Sequence, residues 1–193
     1  MADIVLKKRE ENKAKALFFL GEDMKDNEDN KVKKFLKEYV PYIIILVFVV
    51  LIKKYVVSPI KVNGDSMFKT LHDGDIMILN IVGYRFKEVK RFDIVVVRED
   101  KEFLIKRVIG LPGEKISYHN NQLFVNGKKV KDSYGNGSTD DFSIEVPKGK
   151  YFVLGDNREN SMDSRVFGPF SKKRILGKTK LIVFPFSRFG LKK

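Results

Sequence analysis

Phe103-Leu104-Ile105-Lys106-Arg107-Val108-Ile109-Gly110-Leu111-Pro112-Gly113 is a run of strand-forming residues closed by a turn. Successive side chains of a strand point to opposite faces, so Leu104, Lys106 and Val108 share one face. A lysine so placed either faces solvent on a half-buried strand or is buried, and burial lowers its pKa and makes it a base near neutral pH. Similar short runs recur on both sides: 56–62, 75–79, 92–97, 122–125, 128–130, 143–146, 151–154 and 180–184. Turn residues separate them, and Asn126-Gly127 is a two-residue hairpin signal. The stretch 132–141, with Gly135, Asn136, Gly137 and Ser138, reads as a mobile loop. No long amphipathic helix interrupts the series. The pattern predicts a mainly β fold, with a large curved, barrel-like antiparallel sheet over residues 58–193.

Upstream the character of the chain changes. Val40-Pro-Tyr-Ile-Ile-Ile-Leu-Val-Phe-Val-Val-Leu-Ile52 is apolar throughout, with Lys53-Lys54 and Tyr55-Val56-Val57 behind it. At ~1.5 Å per residue the uninterrupted run is shorter than a ~30 Å hydrocarbon core, as a buried helix of a soluble protein would be. A run apolar on every face instead favours the bilayer, and the two lysines can snorkel while the chain continues at the interface. The expectation is a single uncleaved transmembrane helix over 39–57. Ten basic and nine acidic residues make the preceding 1–38 a nearly neutral, partly helical or disordered tail. Lysines 31, 33, 34 and 37 against 53, 54 and 61 tilt the positive charge slightly toward an inside N-terminus.

The 193 residues hold one ordinary domain plus an anchor, with 43% hydrophobic and 12% aromatic residues for a core. The net charge of +13 suits nucleic acid, an anionic membrane surface or a solvated basic face. RNA-binding aromatic signatures, zinc-finger spacings and basic heptads are missing, so no nucleic-acid partner is expected. Residues 58–193 carry 26 basic and 16 acidic groups, a surplus that lipid head groups or plain solvent would equally accommodate. With no cysteine, disulfides, cysteine nucleophiles and thiolate metal sites drop out together.

Two further runs carry chemistry. In Val62-Asn63-Gly64-Asp65-Ser66-Met67, Gly64 can take backbone angles that present the following hydroxyl outward. Ser66 is then an ordinary turn serine or a nucleophile, and a nucleophile needs a base. The run Gly155-Asp156-Asn157-Arg158-Glu159-Asn160-Ser161-Met162-Asp163-Ser164-Arg165 is too long and too polar for a simple turn. The histidines, His72 and His119, show no aspartate partner in sequence, so a Ser-His-Asp triad is not expected.

Together these runs resemble the type I signal peptidases, membrane-anchored serine proteases, in order and over about residues 40–190, and the short Gly113–Tyr151 connection resembles the compact Gram-positive kind. The resemblance implies Ser66 as nucleophile and Lys106 as general base. It implies that Ser161 hydrogen-bonds and orients Lys106, and that Asp163 and Arg165 form a supporting ion pair. Shallow apolar pockets near Met67, Leu71 and Ile105 would accept small, alanine-like side chains before the cut. The backbone N–H of Ser66 would be an oxyanion donor, whereas Gly64 cannot add the hydroxyl some relatives carry there. No metal or cofactor is implied. Preproteins and the lipid bilayer are the expected partners, with the catalytic domain outside and a monomer the expected state.

Two positions depart from the family pattern. Phe92 stands where the family normally has glycine, and Lys69-Thr70-Leu71 where it usually has Pro-Thr-Leu. The second departure creates Ser66-Met67-Phe68-Lys69, an S-x-x-K motif of the penicillin-binding and β-lactamase kind, which on a helix would put Ser66 and Lys69 on one face. That acyl-enzyme reading lacks its Ser-Asp-Asn and Lys-Thr-Gly partners, with Lys178-Thr179-Lys180 a near miss. A membrane-tethered β module without catalysis is the remaining alternative.

Overall fold

The computed structural model describes residues 33–51, 57–81 and 88–192, together with Lys15. The chain divides into two units, Met1–Leu51 and Ile52–Lys193. In the first, residues 33–51 are helical. Its apolar side chains from Tyr42 to Leu51 are 46–68% exposed. Lys33, Lys34, Lys37 and Glu38 occupy its first turns, and no helix among the described residues is long and apolar enough to cross a membrane. The expected span 39–57 thus coincides with helix over 39–51, while 52–56 and most of the tail 1–38 lie outside the described residues.

The second unit is built of antiparallel strands. In chain order they are β1 (Val57–Lys61), β2 (Ile76–Asn80), β3 (Ile94–Glu99), β4 (Glu102–Gly110), β5 (Lys115–His119), β6 (Gln122–Val125), β7 (Lys128–Val130), β8 (Phe142–Glu145), β9 (Lys150–Leu154), β10 (Phe170–Ser171), β11 (Ile175–Phe184) and β12 (Gly190–Leu191). They form two sheets rather than the single barrel-like one expected. One runs β1-β2-β11-β3-β4-β9-β10, with β12 on β11, and the other runs β7-β6-β5-β8. The large sheet is open at β1 and β10. It does not close because β4, after pairing β3 and β9, hands the chain at Gly110 to a separate small sheet.

Three apolar clusters hold this arrangement. Val95, Val97, Val108, Val153 and Phe170 pack on one face of the large sheet. Ile109, Phe152 and Leu154 of the large sheet meet Ile116, Tyr118 and Leu123 of the small one, fixing the two together. Val62, Met67, Leu71, Met77, Ile94 and Ile182 form the third cluster, at the end of β1. Burying a side chain of this size contributes about 1.5–3 kcal/mol, so Met67 and Leu71 anchor the short segment between β1 and β2 firmly.

Candidate active site

Ser66 lies on that segment, in successive tight turns closed by Phe68 N to Asp65 O and by Thr70 N and Leu71 N to Met67 O. Gly64 precedes it at φ +81, a left-handed conformation that glycine adopts without steric cost. Met67 and Leu71 point into the core, so the alternate residues, Ser66 among them, stay outside it. The serine carbonyl accepts the Asn157 N–H at 3.0 Å and Asn157 Nδ2 donates to Asp65 O at 3.2 Å, which ties the turn to the third sequence run.

Lys106 comes from β4, where it pairs in register with Val95. It is 3% exposed, and its Nζ donates to Ser66 Oγ at 2.6 Å. Its pKa is pushed from 10.5 down to about 8, chiefly because burial strips water from the ammonium. The Asp163 and Asp156 carboxylates oppose that shift and the Arg165 guanidinium adds to it. The lysine on the apolar face is therefore buried, and it gives up its proton more readily than a solvated lysine does.

Asp163 and Arg165 form the expected ion pair, with Arg165 Nε to Oδ1 at 2.9 Å and Nη2 to Oδ2 at 2.8 Å. Burial alone would raise the Asp163 pKa. The bonds from Arg165 and from the Gly155 N–H at 3.0 Å hold it below the ordinary carboxylate value instead. Asp163 also caps the helix Ser164–Phe167 by accepting from Arg165 N.

Ser161 departs from expectation. Its Oγ is buried and makes no hydrogen bond of ordinary geometry, although it lies near enough to Asp163 to help depress that carboxyl. The bond to Lys106 is not formed, and the hydroxyl packs over Gly155. The pocket residues are also redistributed. Met67 and Leu71 are 1% and 0% exposed, sealed into the core by the tight turn. Ile105 alone of the three lines the large open groove, of about 1330 Å³, beside Ile60, Asn63, Leu79 and Val96.

Sequence reading missed a buried group beneath the dyad. Arg107, on the opposite face of β4 from Lys106, grips Asp156 through Nε to Oδ1 at 2.8 Å and Nη2 to Oδ2 at 2.7 Å, both side chains fully buried. Asp156 Oδ2 also accepts from Thr70 Oγ1 at 2.6 Å, and Arg107 Nη1 donates to the Phe92 carbonyl at 2.8 Å. The pair thereby joins the Ser66 turn, the Lys106 strand and the third run. An arginine alternating with Ile105 and Ile109 was the available signal, since a buried guanidinium requires a carboxylate.

Both family departures sit at left-handed backbone. Lys69 has φ +64 and Phe92 φ +68. Proline is fixed near −65°, so the proline usual in the family would not fit this turn. Phe92 occupies a conformation in which glycine is comfortable, and its ring packs against Tyr134 at 5.2 Å between centroids. Lys69 is exposed on a turn rather than a helix, which leaves the S-x-x-K arrangement without its geometry. The 132–141 loop is pinned rather than loose: Asn136 N donates to Asp156 O, Arg158 N to Asn136 O, and Asp132 pairs with buried Arg158. His119 does have an aspartate partner, Asp141, but the pair is exposed on the small sheet.

The signal peptidase, peptidase S26, family model matches residues 32–184. Signal peptidase I S of Bacillus subtilis is 40% identical over 178 residues, covering 85% of this chain and 97% of that protein. Signal peptidase I of Bacillus amyloliquefaciens is 44% identical over 158 residues, covering 75% and 85%. Signal peptidase IB of Staphylococcus aureus is 37% identical over 178 residues, covering 81% and 93%. A crystal structure of a signal peptidase I from Enterococcus faecalis is 34% identical with a TM-score of 0.45, covering 48% of this chain and 97% of that one.

Proposed function

The chain belongs to the signal peptidase family, peptidase S26, a family of serine proteases, and from that membership we infer that it removes signal peptides from exported preproteins, with Ser66 as nucleophile and Lys106 as general base. The observation that carries the residue assignment is the 2.6 Å contact between Lys106 Nζ and Ser66 Oγ in a site dry enough to lower the lysine pKa to about 8. As an ammonium Lys106 donates in that contact. As a neutral amine it accepts the hydroxyl proton instead, which is the first step of catalysis.

Ser66 Oγ attacks the scissile carbonyl carbon while its proton passes to Lys106 Nζ. The negative charge that develops on the carbonyl oxygen is met by the Ser66 N–H. Lys106 returns the proton to the departing amine, leaving the signal peptide as an ester on Ser66. A water then gives a proton to Lys106 and attacks the ester carbonyl, and Lys106 passes that proton to Ser66 Oγ as the ester C–O bond breaks, which releases a carboxyl terminus and restores the serine. Asp163, gripped by Arg165, keeps an anion near the lysinium that forms in each half-reaction. Met67 and Leu71 are withdrawn into the core, and Ile105 remains to line the groove for the residues before the cut. The groove selects small residues by excluding bulk.

The exposed apolar side chains of Tyr42–Leu51 support a place for residues 39–57 in the bilayer. A single crossing there leaves 1–38 in the cytoplasm and puts 58–193, acting as a monomer, on the outer face. Incubating the purified protein with a preprotein and locating the cut by mass spectrometry tests this function. A single cut after a small residue is expected, lost in Ser66→Ala. Uncut preprotein, or equal cutting by Ser66→Ala, would overturn it.

A further inference from the structure

Tyr134 touches neither Ser66 nor Lys106, yet it covers the group that links them. Its ring lies 3.7 Å from the Arg107 guanidinium carbon, well inside the range of a cation–π contact. Phe92 packs on the same tyrosine. The loop that carries Tyr134 is fastened at both sides of it. Tyr134 N and Gly135 N donate to Asp132 Oδ1, and Asp132 is held by Arg158 and by Tyr118 Oη at 2.6 Å. Asn136 N donates to the Asp156 carbonyl at 2.7 Å. The ring is therefore positioned by a polar frame of its own.

Arg107 cannot shift without consequence. Its partner Asp156 holds Thr70, four residues past the nucleophile, and Arg107 adjoins Lys106 on the same strand. We propose that Tyr134 is a positioning residue of the catalytic dyad, acting through the Arg107–Asp156 pair that it shields from water, and that Phe92 at the position normally held by glycine provides its second face. The left-handed backbone at Phe92 is unfavourable for a residue with a Cβ, and the Arg107 bond to the Phe92 carbonyl and the ring contact act against that cost. The proposal rests on the Ser66–Lys106 assignment above.

Rescue by an aromatic substitute, with the Lys106 titration beside it, separates this role from general loosening. The groups whose charge acts on Lys106 are Asp163, Arg165 and Asp156, with Ser66 in direct contact. Asp156 raises the lysine pKa. Loss of the tyrosine ring admits water at the ion pair, and relief of the burial that chiefly lowers the lysine pKa moves it upward toward 10.5.

The test compares Tyr134→Phe and Tyr134→Leu with the parent in preprotein cleavage, in thermal unfolding, and in carbon NMR titration of the lysine side chains, with Lys106→Met to assign the signal. Tyr134→Phe keeps the ring and is expected to cleave normally. Tyr134→Leu is expected to lower kcat about tenfold, the scale of a desolvated cation–π contact, with KM unchanged and the Lys106 pKa moved up. Equal kcat in the two variants, or an unchanged Lys106 pKa in Tyr134→Leu, would overturn the proposal. Should the parent cleave no preprotein, the functional reading fails, and the titration alone still decides whether Tyr134 reaches Lys106. Adding Phe92→Gly to Tyr134→Leu is expected to lower kcat no further, because both act through one contact. Additive losses would contradict the shared role.

Discussion

Gly155 approaches Ser66 so closely that no side chain fits between them. A Cβ built on Gly155 would lie 2.4 Å from the Ser66 carbonyl oxygen and 2.2 Å from Ser161 Oγ. The serine side chain at 161 could turn away, but the Ser66 carbonyl belongs to a turn anchored by Met67 and Leu71 and bonded by Asn157 N. The chain end of β9 thus limits where the Ser66 turn can sit relative to Lys106.

Gly155→Ala should therefore displace the nucleophile while the strands stay folded. A shift of ~1 Å at the reacting atoms costs about 10²-fold in rate. Preprotein cleavage should fall by that order with the circular dichroism spectrum unchanged. Normal cleavage by the alanine variant would mean that the turn yields freely.

Lys106 burdens the fold that contains it. At 3% exposure its folded pKa of about 8 lies below the unfolded 10.5, so folding is opposed wherever the unfolded lysine is charged. Stability from this group is lowest below pH 8 and recovers as pH rises toward 10.5. Lys106→Met should be inactive, yet more stable at pH 7 by about 3 kcal/mol, at 1.36 kcal/mol per pKa unit. That gain should shrink as pH rises from 8 and be gone above 10.5. Urea unfolding at several pH values checks it, and a destabilised methionine variant would contradict the burial argument.

At position 69 the usual family residue and the backbone disagree. Lys69 at φ +64 suits glycine and excludes proline. Lys69→Gly should keep full cleavage and change stability by less than about 1 kcal/mol. Lys69→Pro should lose more than about 1 kcal/mol and cleave poorly, although it restores the common family residue. Thermal unfolding and cleavage of both variants decide this, and a fully active, equally stable proline variant would show that the turn relaxes.

How much of this was legible in the chain depended on the kind of contact. β4, β6, β7 and β9 are legible because turn residues bound their short strand-forming runs, as at Asn126-Gly127. The strand Lys115–His119 escaped despite its alternation, because its ends are polar and the run is short. β11 was seen only over 180–184 and extends back to Ile175, since Gly177 and Lys178 interrupt the apolar pattern where the strand meets β3. The division into two sheets was not readable, as it depends on which strands pair across long separations. Ser66 and Lys106 were legible from their motifs. The burial of Met67 and Leu71, the Arg107–Asp156 pair and the Tyr134 ring were not, because each is set by packing between segments far apart in sequence.

The central claim is that Lys106, as a neutral amine, takes the proton from Ser66. The most direct measurement is the single-turnover acylation rate against pH, in the parent and in Lys106→Ala with folding verified. Since the reactive form is the deprotonated one and the pKa is about 8, the rate should rise about tenfold per unit of pH below 8 and level off above it. Lys106→Ala should lose roughly 10²–10⁴-fold at every pH. A rate flat between pH 6 and 9, or an alanine variant that acylates normally, would contradict the assignment of Lys106 as the base.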